Sequence, residues 1–241
     1  MQSSLYVALS GQVALQKRLE TVAHNIANVN TGGFRAEEVS FSTFLSRSGP
    51  TPVAFASSGE SYISRRAGEL VQTGNPLDIA VQGNGWFGLR TPDGVAYTRD
   101  GRLHMDAGGA LLSVNNHPIL DAGGAAILLD PNGGPPVIAQ DGMISQRGRQ
   151  VGAIGLFALD ANAKLTRTDN SAVQSDRPGA AVLDFNNNGV IQGMAEGSNV
   201  NPVLELTHMI EISRTFESAS NAIQSNETTF LDAVKTLGAT S

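Results

Sequence analysis

Residues 4–34 read SLYVALSGQVALQKRLETVAHNIANVNTGGF, and this stretch decides how the rest of the chain is divided. Within it Leu5, Ala8, Gln12, Leu15, Leu19, Val22, Ile26 and Val29 follow at alternating steps of 3 and 4. Such spacing draws one stripe down an α-helix with the period of about 3.5 residues that marks a coiled-coil seam. Only Gln12 breaks its apolar character. Ser3 or Ser4 is placed to cap the start, and Gly32 or Gly33 to close the end in the left-handed conformation, with Phe34 folding back on the last turn. The pattern predicts a helix over 4–29, roughly 40 Å long at about 1.5 Å per residue.

A second heptad closes the chain. Asn201-Pro202 is a helix start, the Asn capping and the Pro sitting in the first turn. Met209, Phe216, Ile223, Phe230 and Leu237 then recur every 7 residues, with Leu206, Ser213, Ser220, Glu227 and Val234 between them. This seam is half polar.

Between the two helices lie two regions of different character. Residues 35–65 scatter Phe41, Phe44, Phe55 and Tyr62 among Ser, Thr, Gly and Pro without any period, and read as an extended linker. From 66 to 195 turn signals recur every few residues: Gly83-Asn84-Gly85, Pro92-Asp93-Gly94, Asp106-Ala107-Gly108-Gly109, Asp121-Ala122-Gly123-Gly124 and Asn187-Asn188-Gly189 among them. Short apolar runs such as Leu77–Val81 and Trp86–Leu89 fill the gaps, which is the signature of an antiparallel β domain. The expected fold class is α+β. An all-β antiparallel domain over 66–195 is flanked by N-terminal (1–34) and C-terminal (196–241) coiled-coil-like helices that pair as a terminal helical domain.

Composition narrows the function. The 241 residues carry 16 Lys and Arg against 22 Asp and Glu, a net charge of −6, without a basic cluster to neutralise phosphates. Nucleic acid is therefore not an expected partner, and neither is an anionic membrane surface. No apolar run is long enough to span a bilayer, and Met1-Gln2-Ser3-Ser4-Leu5 lacks the pattern of a cleaved signal, so direct membrane insertion is not expected.

The motifs that look chemical have plainer readings. Gly83-Asn84-Gly85-Trp86-Phe87-Gly88 spells a dinucleotide fingerprint, but Trp86, Phe87 and Leu89 continue as a strand where the fingerprint needs a helix. Asp184–Ile191 resembles a calcium loop up to its Gly, yet the twelfth position is Ala195 rather than a bidentate Glu. His24, His104, His117 and His208 have no metal-ligand spacing. No catalytic residue, metal or cofactor is expected. A secreted β-rich hydrolase would need a convergent acid–base or nucleophile set, and the sequence has none. A secreted β-rich binding module is the alternative that exposed aromatics on the β domain would support.

Assembly is the reading the helices favour. Gly11 inside the first helix costs about 1 kcal/mol relative to Ala, and Ser213, Ser220 and Glu227 offer the second seam little burial. Met1, Tyr6, Val13, Ile210, Ile212 and Leu231 lie outside the seams and would stay in water in a lone helix pair. A polymer would bury them. The alternative is a hairpin of the two helices packed on their own β domain.

The run Asn25-Ile26-Ala27-Asn28-Val29-Asn30-Thr31-Gly32-Gly33-Phe34 resembles the signature of the flagellar basal-body rod and hook family. Asn75 to Phe87 and Tyr97-Thr98-Arg99-Asp100-Gly101 are similar to the start of that family's β domain. Glu196-Gly197-Ser198-Asn199-Val200-Asn201-Pro202-Val203, with Arg214-Thr215-Phe216-Glu217, is similar to its terminal helix. The matches run in the family's order over most of the chain, with one departure, Ala195 where the family usually has Leu. Length and the short central insert look most like the proximal-rod members, with the distal-rod members as runner-up.

The resemblance implies a structural subunit of the periplasmic rod, which carries torque from motor to hook. It implies as partners further copies of itself, neighbouring axial subunits, and the flagellar type III export apparatus that would carry the chain out without a cleaved signal. The assembly interface is then expected at Leu5, Leu15, Leu19, Val22, Asn25, Ile26, Asn28, Asn30, Thr31, Gly33 and Phe34. Its C-terminal half is expected at Asn199, Val200, Leu206, Met209, Phe216, Ile223, Phe230 and Leu237. Phe41-Ser42-Thr43-Phe44-Leu45 resembles the family's export motif, with Phe41 and Leu45 as its anchors.

Overall fold

The computed structural model describes residues 2–46, 53–57 and 59–238, without the side chains of 2–5, 226, 227, 230, 233, 234, 237 and 238. The architecture is mixed, with a helix at each end and mostly antiparallel strands between them. The described residues fall into two units. One gathers the stretch up to Ala27, Glu37–Tyr62 and the stretch from Asn201; the other gathers Asn28–Ala36 and Ile63–Val200.

In the first unit helix α1 spans Gln2–Ala27 and helix α2 spans Pro202–Gly238, and the two pack against each other. The helix α1 begins two residues before the expected Ser4, so Ser3 and Ser4 lie inside it rather than capping it. The seam foreseen for α1 is its inward stripe: Ala8, Gln12, Leu15, Leu19 and Ile26 are half-buried and Val22 is buried. Asn201 caps α2 as its residue type demands, its Oδ1 accepting the Val203 and Leu204 N–H groups at 3.1 and 3.2 Å. On α2 the inward stripe is Met209, Ile212, Phe216, Ala219 and Ile223. Ile212, only 2% exposed, takes the place expected for Ser213.

The segment read as an extended linker carries strands. Glu37–Ser40 pairs with Glu60–Ile63, and Thr43–Ser46 forms an antiparallel ribbon with Val53–Ala56 in which Phe44 faces Phe55. The second ribbon lies along α1, where Ser10 Oγ accepts the Ala56 N–H at 3.2 Å.

In the second unit a six-stranded antiparallel sheet runs in the order Leu165–Arg167, Ala172–Ser175, Gly94–Thr98, Trp86–Thr91, Leu156–Ala158, Ala180–Ala181. Neighbouring residues of one strand point to opposite faces. Phe87 therefore joins a cluster with Ile79, Leu111, Ile119, Ile144 and Leu156, while Trp86 joins Tyr97, Phe157, Leu165 and Val173 on the other side. Both faces being covered explains why Trp86–Leu89 is a continuous apolar run rather than an alternating one. Gly83-Asn84-Gly85 is the turn between strands Ile79–Gln82 and Trp86–Thr91.

Two identical turns build the rest of this core. Asp106 Oδ1 accepts the Gly108 and Ala110 N–H groups, and Asp121 Oδ1 those of Gly123 and Ala125, all at 2.8–2.9 Å. Between and beyond these turns Leu111, Ile119 and Ile127 close a ring of backbone hydrogen bonds, each N–H donating to the next carbonyl at 3.0–3.2 Å.

Candidate assembly interface

The residues that follow α1 and those that precede α2 meet inside the second unit. Thr31 N–H and Thr31 Oγ1 bond back to Asn28, turning the chain sharply after the helix. Gly33 adopts φ 64° and donates its N–H to the Glu196 carbonyl at 2.7 Å. Three residues on, the Asn199 N–H reaches the Phe34 carbonyl at 3.2 Å, and Asn199 Oδ1 accepts the Ala36 N–H at 2.6 Å. The Asn199 amide also donates to the Arg66 carbonyl at 2.8 Å. Phe34, Ala36 and Val200 form a small core with Val29, and the Arg167 guanidinium lies 4.3 Å above the Phe34 ring.

Beside that core sits a cluster of charge with almost no access to water. Glu196 Oε1 is 2.6 Å from Arg35 Nη2, Glu196 Oε2 is 3.2 Å from Arg99 Nη1, and Oε1 also accepts the Gly68 N–H at 2.8 Å. Arg35 and Arg99 flank the Trp86 ring at 5.7 and 5.4 Å from its centroid. One further donor of each reaches a backbone carbonyl, Arg35 that of Arg66 and Arg99 that of Gly83, while the Nε of each is buried with no hydrogen-bond partner among the described residues. Burial pushes Arg35 down to about 10, with the Arg99 charge adding to the shift and Glu196 opposing it. Burial lowers Arg99 as well, again against Glu196. Both remain cations at neutral pH.

In the first unit Asn25 acts as a surrogate backbone. Its Nδ2 donates to the Glu37 carbonyl and its Oδ1 accepts the Glu37 N–H, both at 2.9 Å, so the last turn of α1 holds the first strand after it.

The expected interface residues thus divide. Val22, Asn25, Gly33, Phe34 and Val200 are buried within the chain, and Leu15, Leu19, Ile26, Asn28, Thr31, Asn199, Met209, Phe216 and Ile223 are half-buried. Asn30, Leu206, Phe41 and Leu45 are exposed. The side chains of Leu5, Phe230 and Leu237 lie outside the described residues. Sequence reasoning quoted Glu196 and Arg99 within motifs but missed them, with Arg35 and Trp86, as a cluster. The available signal was charge placed directly beside apolar and Gly-rich strings in a chain with few charges.

A second apolar set faces outward. Tyr6, Leu9 and Val13 lie on one face of α1, and Val203, Leu206 and Ile210 on one face of α2, each spaced 3 and 4 residues apart and each exposed, Tyr6 at 59% and Ile210 at 54%. The loop resembling a calcium site spends its oxygens internally. Asp184 Oδ1 accepts both N–H groups of Asn186, and Asn188 Oδ1 accepts the Asn84 N–H at 3.0 Å.

Residues 5–35 match the family described as flagella basal body rod protein, and residues 191–235 the flagellar basal body rod FlgEFG protein C-terminal family. Residues 80–146 match the flagellar hook protein FlgE/F/G D1 domain. A flagellar basal-body rod protein FlgF from Mesorhizobium japonicum is 47% identical over 241 residues, covering 100% of both chains. The chain belongs to the flagellar basal-body rod family. A second relative of that name, from Rhizobium meliloti, is 43% identical over 99% of each chain. A rod protein named FlgG from Bacillus subtilis is 30% identical, covering 94% of this chain and 96% of its own. As a rod-family protein the chain is a structural component of the flagellar basal body, not an enzyme. Residues 28–34 and 196–200, which lie within the matched stretches at either end, are two halves of one junction inside the subunit.

Proposed function

We propose that the chain is a FlgF-type subunit of the proximal rod, which polymerises through α1 and α2 and transmits torque across the periplasm. The greater identity to the relatives named FlgF than to the relative named FlgG supports the position. The observation that carries the mode of assembly is the outward apolar face on each helix. Tyr6, Leu9, Val13, Val203, Leu206 and Ile210 stand in water while the opposite stripes of the same helices are already used. Fully burying one such side chain yields about 1.5–3 kcal/mol, and roughly half of that gain is still open at each position. In the rod these faces pack against neighbouring copies and axial subunits in coiled-coil-like seams. Phe41 and Leu45, both exposed, engage the export apparatus before assembly.

The test is Leu9→Asp with Ile210→Asp. The monomer keeps its native circular dichroism and melting, because neither side chain is buried in it. Swimming and recovery of the subunit in isolated basal bodies are lost. Normal motility of the double variant would refute the proposal.

A further inference from the structure

Arg35, Arg99 and Glu196 come from three distant parts of the chain, and together they leave one positive charge in excess in a buried site. Arg35 follows α1, Arg99 lies between strands of the β unit, and Glu196 closes that unit just before α2. Each guanidinium is at most 3% exposed, and the carboxylate is completely covered. Without Glu196 two like charges would share this dry pocket, a state that burial penalises heavily. A chain made from its N-terminus holds both arginines long before it holds their counter-ion.

We infer that Glu196 is a latch that makes completion of the β unit conditional on the arrival of the C-terminal segment. Until residue 196 docks, Arg35 and Arg99 stay solvated and cannot close over Trp86. When it docks, its carboxylate neutralises one charge, its carbonyl takes the Gly33 N–H, and its strand Met194–Glu196 pairs with Leu70–Gln72. Val200 then seals the Phe34 core, and Asn201 follows at once as the cap of α2. One event therefore finishes the β unit and sets the start of the second helix, so a chain lacking its C-terminal segment presents neither.

Trp86 is the only tryptophan of the chain and lies inside the latch, so its fluorescence reads the state directly. In the full chain, Glu196→Gln keeps the side-chain shape and an acceptor for the Gly68 N–H but removes the charge. Acrylamide quenching of Trp86 should rise several-fold, and amide exchange at 33–36 and 196–200 should quicken by roughly 100-fold. Adding Arg35→Met and Arg99→Met to this variant leaves no unpaired charge in the pocket, and should return both readouts most of the way to native. Quenching and exchange within about twofold of native in Glu196→Gln would overturn the latch. So would a triple variant as open as the single one, because with no charge left in the pocket the defect would then be shape and not charge. The second comparison decides the matter even where Glu196→Gln alone fails to fold.

Discussion

The sharpest structural consequence of the junction concerns Gly33. A Cβ built there would lie 2.1 Å from the Asp100 nitrogen and 2.4 Å from the Arg99 carbonyl carbon, and φ is 64°. These are backbone atoms, and the backbone is pinned. The Asp100 N–H is held by Thr98 Oγ1 at 3.0 Å, the Asp100 carboxylate by Arg102, and Gly33 itself by Glu196. Gly33→Ala therefore pays about 1–2 kcal/mol for the left-handed conformation and roughly 1–3 kcal/mol for overpacking. Each kcal/mol lowers the melting temperature of a unit of this size by about 2–4 °C, so the fall should be roughly 4–20 °C.

Gly74 supplies the control. It has φ 74° with nothing within 4 Å of its Cβ position, and it belongs to the same unit. Gly74→Ala meets the conformational cost alone, and any gain from a stiffer unfolded chain is common to both variants and cancels. Melting followed by Trp86 fluorescence should show Gly33→Ala falling well below Gly74→Ala. Equal shifts would mean that residues 28–36 do not pack against 99–100 as described, and the junction would fail with them.

Ile212→Ala should destabilise the helix pair by about 2–5 kcal/mol, read as lost helical circular dichroism, while Trp86-monitored melting of the β unit stays unchanged. Phe216→Asp should act in the same direction, because Phe216 shares the inward stripe. Limited proteolysis should leave a resistant fragment near 28–200, larger than the 66–195 that the turn pattern alone suggests, since both motif segments belong to the β unit; a stable product ending at 195 would contradict this. Phe41→Ala with Leu45→Ala should trap the protein in the cytoplasm with its β unit folded, as measured by secretion; normal export would remove these residues from the proposed export motif.

What the sequence revealed depended on whether a pattern had one reading. On α1 the alternating steps of 3 and 4 lead through Leu15, Leu19, Val22 and Ile26, and the helix packs in that register. On α2 two apolar stripes compete. Met209, Phe216 and Ile223 belong to the inward one, but Leu206 drew the intervening row toward Ser213, when Leu206 sits with Val203 and Ile210 on the outward face and Ile212 turns in. A helical pattern shows that a face is apolar and does not say which neighbour covers it. Residues 35–65 hid their strands for another reason. Their strands are short and largely exposed, and they are held from outside the segment, the first by the Asn25 amide 12 residues before Glu37 and the second ribbon by Ser10 at Ala56.

The ionic cluster was out of reach because its three members are 64 and 97 residues apart in the chain, and nothing local marks them as partners. Yet the strings beside them were visible from the start. Asn28, Asn30, Thr31, Gly33, Phe34, Asn199 and Val200 were read as surfaces for other subunits, and Gly33, Phe34 and Val200 are buried within the subunit. That changes what the outward helix faces must do. If Gly33, Phe34 and Val200 fix the ends of the β unit, they leave assembly to residues that the monomer does not use. Tyr6, Leu9, Val13, Val203, Leu206 and Ile210 are then the positions at which a charge should abolish the rod without unfolding the subunit, whereas a charge at Phe34 should do both.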